Sequence, residues 1–157
     1  MQEKKIPLSE LYPLIEEALK KGGSFRFSPQ GVSMLPFLKA GRDEVLLSPV
    51  ETPKKYDVCL FRRENGAFVL HRIVAVEKDG SYTFAGDNQA YLERSVPRES
   101  IIGRVTVIFR DGASYPIEEK RFVRYARRRV ARLFFRLPFL RIRGYLYRIF
   151  KGKSNKL

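Results

Sequence analysis

The sequence is poor in the residues that cross-link small proteins. Its 157 residues contain one cysteine, one histidine and no tryptophan. The single cysteine, Cys59, has no partner within the chain, so an internal disulfide framework is excluded. Together with the single histidine, His71, it cannot supply the four ligands of a structural zinc site, and we expect no metal and no other cofactor. The fold must therefore depend on an ordinary apolar core.

Long apolar runs are absent as well. None approaches the roughly 20 residues needed to cross a bilayer, and residues Met1 to Ile6 are charged where a secretory signal would be apolar. We therefore expect neither a membrane span nor a signal peptide, and a cytoplasmic protein. The hydrophobic fraction of 44% is ordinary for a folded chain, and 157 residues leave room for one compact domain.

Acidic residues are scarce in the last quarter of the chain. Residues 118–157 hold 14 of the 31 lysines and arginines but only two of the 17 acidic residues. About +12 of the formal net charge of +14 therefore lies there. The sequence predicts a nearly neutral body followed by a strongly basic tail.

The chain divides into three segments that differ in composition and hydrophobic pattern. They are residues 1–23, 24–117 and 118–157. The first is predicted to contain a short amphipathic helix from about Ser9 to Lys21, whose regular part begins near Pro13. The glycines Gly22 and Gly23 end this helix. Its apolar stripe comprises Leu11, Leu14, Ile15, Ala18 and Leu19.

The middle segment, from Ser24 to about Ile117, consists of short runs rich in β-branched and aromatic residues. Turn pairs separate these runs and predict hairpins. They are Asn65-Gly66, Asp79-Gly80 and Asp111-Gly112. We therefore predict an antiparallel β domain of about seven strands.

The tail is predicted to form two basic amphipathic helices that meet near Pro138. Two interpretations of them remain open. Either the apolar faces pack on the β domain, or the segment from Arg121 to Lys156 binds an anionic membrane surface while apolar side chains enter the interface. The apolar face of the first helix comprises Phe122, Val123, Ala126, Val130, Leu133, Phe134 and Leu137.

Two residues could carry acyl-transfer chemistry. Ser33 lies between Gly31 and Pro36, where a turn could expose its hydroxyl beside backbone N–H groups that receive an oxyanion. Most serines in such a setting are simply turn residues. His71 is predicted in mid-strand and has a reference pKa suited to a general base at neutral pH. A strand histidine whose nitrogens are satisfied by backbone is the commoner case.

Two acidic residues could complete such a site. Asp87, in Gly86-Asp87-Asn88, and Glu93 could each orient the imidazole of His71 and stabilise its cation, as the acidic member of a serine triad does. For Asp87 the alternative is a role in organising a turn through its side-chain oxygen. The residues alone do not choose between the two carboxylates.

Four ordered segments between about Phe25 and Phe109 resemble the conserved boxes of type I signal peptidases. Their order and spacing agree with that family, which is more specific than any one box alone. They are Gly31-Val32-Ser33-Met34-Leu35-Pro36 for the Ser-Met-x-Pro nucleophile box, His71-Arg72-Ile73-Val74 for the His-Arg-Val box of the endoplasmic-reticulum branch, Gly86-Asp87-Asn88 for the Gly-Asp-Asn box, and Ile101-Ile102-Gly103-Arg104-Val105 for the closing strand.

This resemblance implies a mainly β fold shared with LexA-type self-cleaving repressors, and a serine endopeptidase that cleaves a leader or signal-like peptide. The partner is then a peptide or protein substrate. The roles that the resemblance implies are Ser33 as nucleophile, His71 as general base, Asp87 and Glu93 as acidic members, backbone at Ser33 and Gly31 as oxyanion hole, and Met34 and Pro36 as substrate-binding residues.

The chain also departs from that family. Glu93 stands where the family has Asp, so its carboxylate is carried one methylene further out. Gly31 has no side chain to assist the oxyanion hole, so the backbone N–H groups would act alone. The family's transmembrane anchor is missing, and the basic tail is the candidate substitute.

Two other functions are compatible with the sequence. One is a catalytically inactive relative that binds a peptide. The other is a basic nucleic-acid-binding protein, which is disfavoured because no helix-turn-helix pattern precedes the β segment and the tail aromatics lie largely on apolar helix faces. We therefore expect no nucleic acid as partner.

Overall fold

The described part of the chain forms one antiparallel sheet of eight strands, one strand more than the sequence predicts. The computed structural model describes residues 7–135. The strand order is β1-β2-β7-β3-β4-β5-β6, and β8 pairs with the C-terminal half of β7. The strands are β1 Phe25–Phe27, β2 Asp43–Ser48, β3 Val58–Arg62, β4 Phe68–Val76, β5 Tyr82–Ala85, β6 Glu93–Val96, β7 Ile101–Arg110 and β8 Ala113–Pro116.

The three predicted hairpins are confirmed. Asn65-Gly66 lies between β3 and β4, Asp79-Gly80 between β4 and β5, and Asp111-Gly112 between β7 and β8. The second residue of each pair is a glycine in the left-handed region, which the turn between two paired strands requires.

Helix α1 spans Leu8–Lys20, so the prediction that its regular part begins near Pro13 is wrong. The proline lies inside the helix and removes one backbone hydrogen bond there. Ile15 is fully buried, and Leu11 and Leu19 pack against the same core. Because these contacts favour the whole helix, they outweigh the missing hydrogen bond.

Helix α2 covers residues 120–135 within the described part of the chain and packs on the sheet. Val130 and Leu133 pack against Val74 of β4 and Ala85 of β5. This side of α2 is buried and comprises Phe122, Ala126, Val130 and Leu133. Residues 139–150, predicted as a second helix, lie outside the described residues. Attachment of the segment 121–156 to an anionic membrane stays a prediction.

The sheet is covered by apolar contacts on both faces. On one face, Val45 and Val105 pack with α1 and with Phe37 from the loop between β1 and β2. On the other face, Phe61 and Phe84 stack with ring centroids 4.3 Å apart. Cys59 of β3 is fully buried in this second cluster. Among residues 7–135, no helix is long and apolar enough to cross a membrane.

Candidate active site

Ser33 lies in a tight turn within the loop that connects β1 to β2. The backbone N–H of Leu35 closes this turn by donating to the carbonyl oxygen of Val32 (3.2 Å). Phe37 in the same loop stacks on Tyr125 of α2, with ring centroids 5.3 Å apart. The serine is therefore carried by a loop whose apolar side is anchored against a helix.

The far end of this loop is held by a buried carboxylate. Asp43 is fully buried and accepts hydrogen bonds from the guanidinium groups of Arg42 and Arg110 and from the backbone N–H of Lys39. Burial alone would raise the pKa of Asp43, but these donors outweigh it and hold the pKa far below its usual value. Arg110 also donates to the carbonyl oxygen of Phe37 (2.8 Å), which fixes the loop to β7.

His71 projects from the middle of β4 toward the serine loop. Strand β4 pairs with β5 so that Arg72 lies opposite Ala85. The antiparallel register then places His71 beside Gly86, the first residue after β5. A methyl group on Gly86 would lie 2.7 Å from the carbonyl oxygen of Ser33 and 3.1 Å from Nε2 of His71. Only glycine at position 86 lets the serine loop and the imidazole approach this closely.

Glu93 is the carboxylate that contacts the imidazole. Its Oε1 lies 2.8 Å from Nδ1 of His71. A carboxylate only accepts hydrogen bonds, so the hydrogen on the neutral ring belongs to Nδ1 and Nε2 is left as the acceptor. Nε2 is also the nitrogen that faces Gly86 and the Ser33 loop. Glu93 therefore selects the tautomer that a general base acting on Ser33 needs.

Two opposing effects act on the proton affinity of His71. Its side chain is only 3% exposed, and this burial lowers the pKa of His71 below its ordinary value. The Glu93 carboxylate raises the pKa but does not fully offset the burial. At neutral pH the imidazole is therefore uncharged and able to accept a proton.

Arg63 is a site residue that the sequence analysis missed. It follows β3 directly, and its guanidinium donates to both carboxylate oxygens of Glu93, at 2.5 and 2.9 Å. Burial would raise the pKa of Glu93, but Arg63 and His71 outweigh it and lower the pKa. No local sequence signal could have found this contact, because it joins residues 30 positions apart, with β4 and β5 between them in the sheet.

Asp87 does not bind the imidazole. Its two carboxylate oxygens accept hydrogen bonds from Nε and Nη2 of Arg72, at 2.9 and 2.7 Å. Both side chains are almost completely buried. Arg72 follows His71 on β4 and therefore points to the opposite face of the sheet. The structure thus brings His71 and Glu93 together and places Asp87 in a separate ion pair.

The Gly86-Asp87-Asn88 segment nevertheless holds the serine loop. The backbone N–H of Asn88 donates to the carbonyl oxygen of Ser33 (2.7 Å), and its side-chain amide donates to the carbonyl oxygen of Val32 (3.2 Å). Because Asp87 ties the same segment to Arg72 on β4, the serine loop and the histidine strand are linked through three consecutive residues.

A cleft of about 370 Å³ lies beside these residues. Ser33, His71, Gly31 and Met34 all line it. Pro36 does not line it and faces a different cleft. Gly31 has a positive φ of 84°, which glycine adopts without strain. Of the predicted substrate-binding pair, only Met34 borders this cleft, and it is 5% exposed.

The backbone at the serine offers hydrogen-bond donors. Within residues 7–135, the N–H groups of Gly31, Ser33 and Met34 donate to no protein acceptor. They are therefore able to donate to an oxyanion formed beside Ser33. The Ser33 hydroxyl forms no hydrogen bond with the imidazole among the described side chains. No group of three or more possible metal-ligating side chains occurs in this part of the chain.

Arg129 of α2 is a second residue that the sequence analysis missed. Its guanidinium donates to three backbone carbonyl oxygens, those of Gly86, Asp87 and Gln89. Its position could have been found from helical spacing. It lies three residues after Ala126 and four before Leu133, at the border of the buried face.

A scan of protein-family profiles and searches of curated proteins and of solved structures find no match to this chain. The interpretation of the site depends on its own geometry.

Proposed function

We propose that this protein is a serine endopeptidase of the signal-peptidase I type, with a fold related to those enzymes and to LexA-type repressors. The observation that supports this most is the orientation of His71. Glu93 binds Nδ1, while Nε2 faces the loop of Ser33. Both the serine and the histidine line one cleft that is open to a peptide.

In the proposed reaction, Oγ of Ser33 attacks the carbonyl carbon of the scissile peptide bond. Nε2 of His71 takes the hydroxyl proton, and Glu93 stabilises the imidazolium that results. The carbonyl oxygen becomes an oxyanion, which accepts hydrogen bonds from backbone N–H groups of the serine loop, among those of Gly31, Ser33 and Met34. Collapse of the intermediate breaks the C–N bond, and Nε2 gives its proton to the leaving amine.

The acyl group is then bound to Ser33 as an ester. Water attacks this ester while Nε2 of His71 again takes a proton. Collapse of the second tetrahedral intermediate breaks the bond between the carbonyl carbon and Oγ, Nε2 returns its proton to Oγ, and the carboxylic acid product leaves. A hydrogen bond between Ser33 and His71 is not required before substrate binds, because catalytic hydrogen bonds commonly tighten in the substrate complex.

The proposal is tested by digestion of a peptide library read by mass spectrometry. We expect new peptide termini with the parent protein, and a loss of cleavage on the order of 10³-fold or more for Ser33→Ala and for His71→Ala. Ser114→Ala removes an exposed serine hydroxyl on β8 and is the matched control, which should cleave like the parent. Circular dichroism establishes that each variant is folded.

Two results would contradict the proposal in different ways. If folded Ser33→Ala cleaves like the parent, Ser33 is not the nucleophile. If the parent binds peptides but produces no new termini under any condition, the inactive peptide-binding relative is the better description.

A further inference from the structure

A second cleft, of about 640 Å³, lies between α2 and the segment that follows β5. We call it the arginine cleft. Arg124, Arg128 and Arg132 line it from α2, and Gln89 lines it from the segment after β5. The three arginines are exposed and follow one another at intervals of four residues, so they form one stripe on the helix.

The positive charge of the arginine cleft is not neutralised by the described part of the protein. No salt bridge joins Arg124, Arg128 or Arg132 to a carboxylate of residues 7–135. The one carboxylate that lines the cleft, Asp87, is already paired with Arg72. Like charges four residues apart on a helix repel one another, and a bound anion would relieve this repulsion.

The arginine cleft adjoins the cleft of the candidate active site. Gln89 lines both, and Pro36 of the serine loop lines the arginine cleft. A peptide whose scissile bond lies at Ser33 would reach the arginine cleft by passing Gln89. Guanidinium groups bind carboxylates and phosphates alike with two parallel hydrogen bonds, and of these two groups a peptide chain supplies the carboxylates of Asp and Glu.

We propose that the arginine cleft binds an acidic segment of the peptide substrate, on one side of the bond that is cleaved. This inference rests on the proposed peptidase function. It assigns Arg124, Arg128 and Arg132 as specificity-determining residues. Arg129 has a different task, because its guanidinium is committed to backbone carbonyls of the segment between the two clefts.

The binding arm of the test uses full-length protein with the Ser33→Ala substitution. Its probes are two fluorescein-labelled dodecapeptides with the same alanine-rich half and either four glutamates or four glutamines in the other half. We expect the glutamate peptide to bind at least about tenfold more tightly at low salt, since three guanidinium groups without a carboxylate partner among the described residues would meet several carboxylates at once. Fluorescence anisotropy measures both affinities.

Two triple variants distinguish binding in the arginine cleft from attraction by the net charge of the protein. Replacement of Arg124, Arg128 and Arg132 by Gln should remove the preference for the glutamate peptide. Replacement of Lys78, Lys120 and Arg127 by Gln, which removes the same charge from exposed positions outside the arginine cleft, should retain it. Equal loss in both variants would overturn the proposal, because binding would then follow net charge alone.

The cleavage arm keeps failure of this inference distinct from failure of the proposed function. In the library digestion, sites cut by protein with an intact Ser33 should be enriched in Asp and Glu at a constant distance on one side. The cleft variant should still cut but without that enrichment. Cleavage with no acidic preference, together with equal affinity for the two probes, overturns the inference and leaves the peptidase intact.

If no peptide is cut at all, the peptidase proposal fails, and the binding arm alone decides whether the arginine cleft takes acidic peptides. Phosphatidylglycerol vesicles and a 20-nucleotide single-stranded DNA are the competing ligands. If either binds in a manner that depends on Arg124, Arg128 and Arg132 while the glutamate peptide does not, the cleft recognises phosphate and the proposal is overturned.

Discussion

Burial and Glu93 act in opposite directions on the imidazole of His71. Burial favours the uncharged ring, and the carboxylate at 2.8 Å favours the cation. The balance suits a base that is neutral before the reaction and positively charged in its transition state. Burial would raise the pKa of Glu93, but Arg63 and His71 outweigh it and lower the pKa, so the carboxylate is ionised at neutral pH.

The Glu93→Gln substitution distinguishes the effect of the negative charge of Glu93 from that of its hydrogen bond to His71. The amide oxygen still accepts from Nδ1, but the imidazolium loses its counter-charge, so kcat/KM should fall by about 10²- to 10⁴-fold. The pKa of His71 should fall further, since the carboxylate no longer raises it. Activity that needs the neutral base rises as pH increases through that pKa, so the acid limb should move to lower pH.

A pH–rate profile of the Glu93→Gln variant and the parent measures both effects. Glu93→Asp is the conservative control, which keeps the charge and should lose less activity than the amide. An unchanged acid limb together with unchanged kcat/KM in Glu93→Gln would mean that Glu93 does not act on the base.

At the scale of elements, the contacts between β4 and the segment after β5 determine how the residues of the site are placed. Local chemistry made the hairpins predictable, because each turn pair determines a connection between neighbouring strands. The choice between Asp87 and Glu93 was not predictable, since it depends on how β4, β5 and β6 pair and on which face Arg72 occupies. The position of α2 was equally unpredictable, because the same amphipathic pattern is compatible with packing on a sheet and with binding to a membrane.

Loss of the buried ion pair between Arg72 and Asp87 should mainly lower the stability of the protein and have a smaller effect on its activity. Asp87→Ala leaves the Arg72 guanidinium buried without its counter-charge, and the free energy of unfolding should fall by about 3–5 kcal/mol. Urea denaturation measures this. Arg72→Met combined with Asp87→Leu removes both charges and should lose less stability than Asp87→Ala.

Cleavage per folded molecule distinguishes a structural Asp87 from a catalytic one. We expect Asp87→Ala to retain more activity per folded molecule than Glu93→Gln, because Asp87 lies on Arg72 and not on the imidazole. If Asp87→Ala were as stable as the parent but did not cleave, Asp87 would instead be a catalytic residue.

At the scale of the whole molecule, three buried or half-buried groups make the folded state sensitive to acid. The pKa values of Asp43, Glu93 and His71 are all lower in the folded protein than their ordinary values. Below its ordinary pKa, each group binds more protons when unfolded than when folded, so stability falls as pH falls. The net charge of +14 at neutral pH becomes more positive as carboxylates protonate, which adds repulsion.

We therefore expect the free energy of unfolding to decline in two stages. His71 contributes a loss below about pH 6.5, and the carboxylates contribute a steeper loss below about pH 4. Urea titrations between pH 3 and pH 8 measure the curve. Asp43→Asn should be less stable at neutral pH and show a shallower loss below pH 4, whereas an equally steep loss would show that Asp43 is not responsible.

The thiol of Cys59 is a chemical probe for opening of the middle of the sheet. It is the one sulfhydryl in 157 residues, it is fully enclosed in β3, and burial raises its pKa, so the reactive thiolate is suppressed in the closed sheet. β3 lies between β7 and β4, the strand that carries His71. The rate at which a thiol reagent labels the intact, unmodified chain therefore reports how often the middle of the sheet opens.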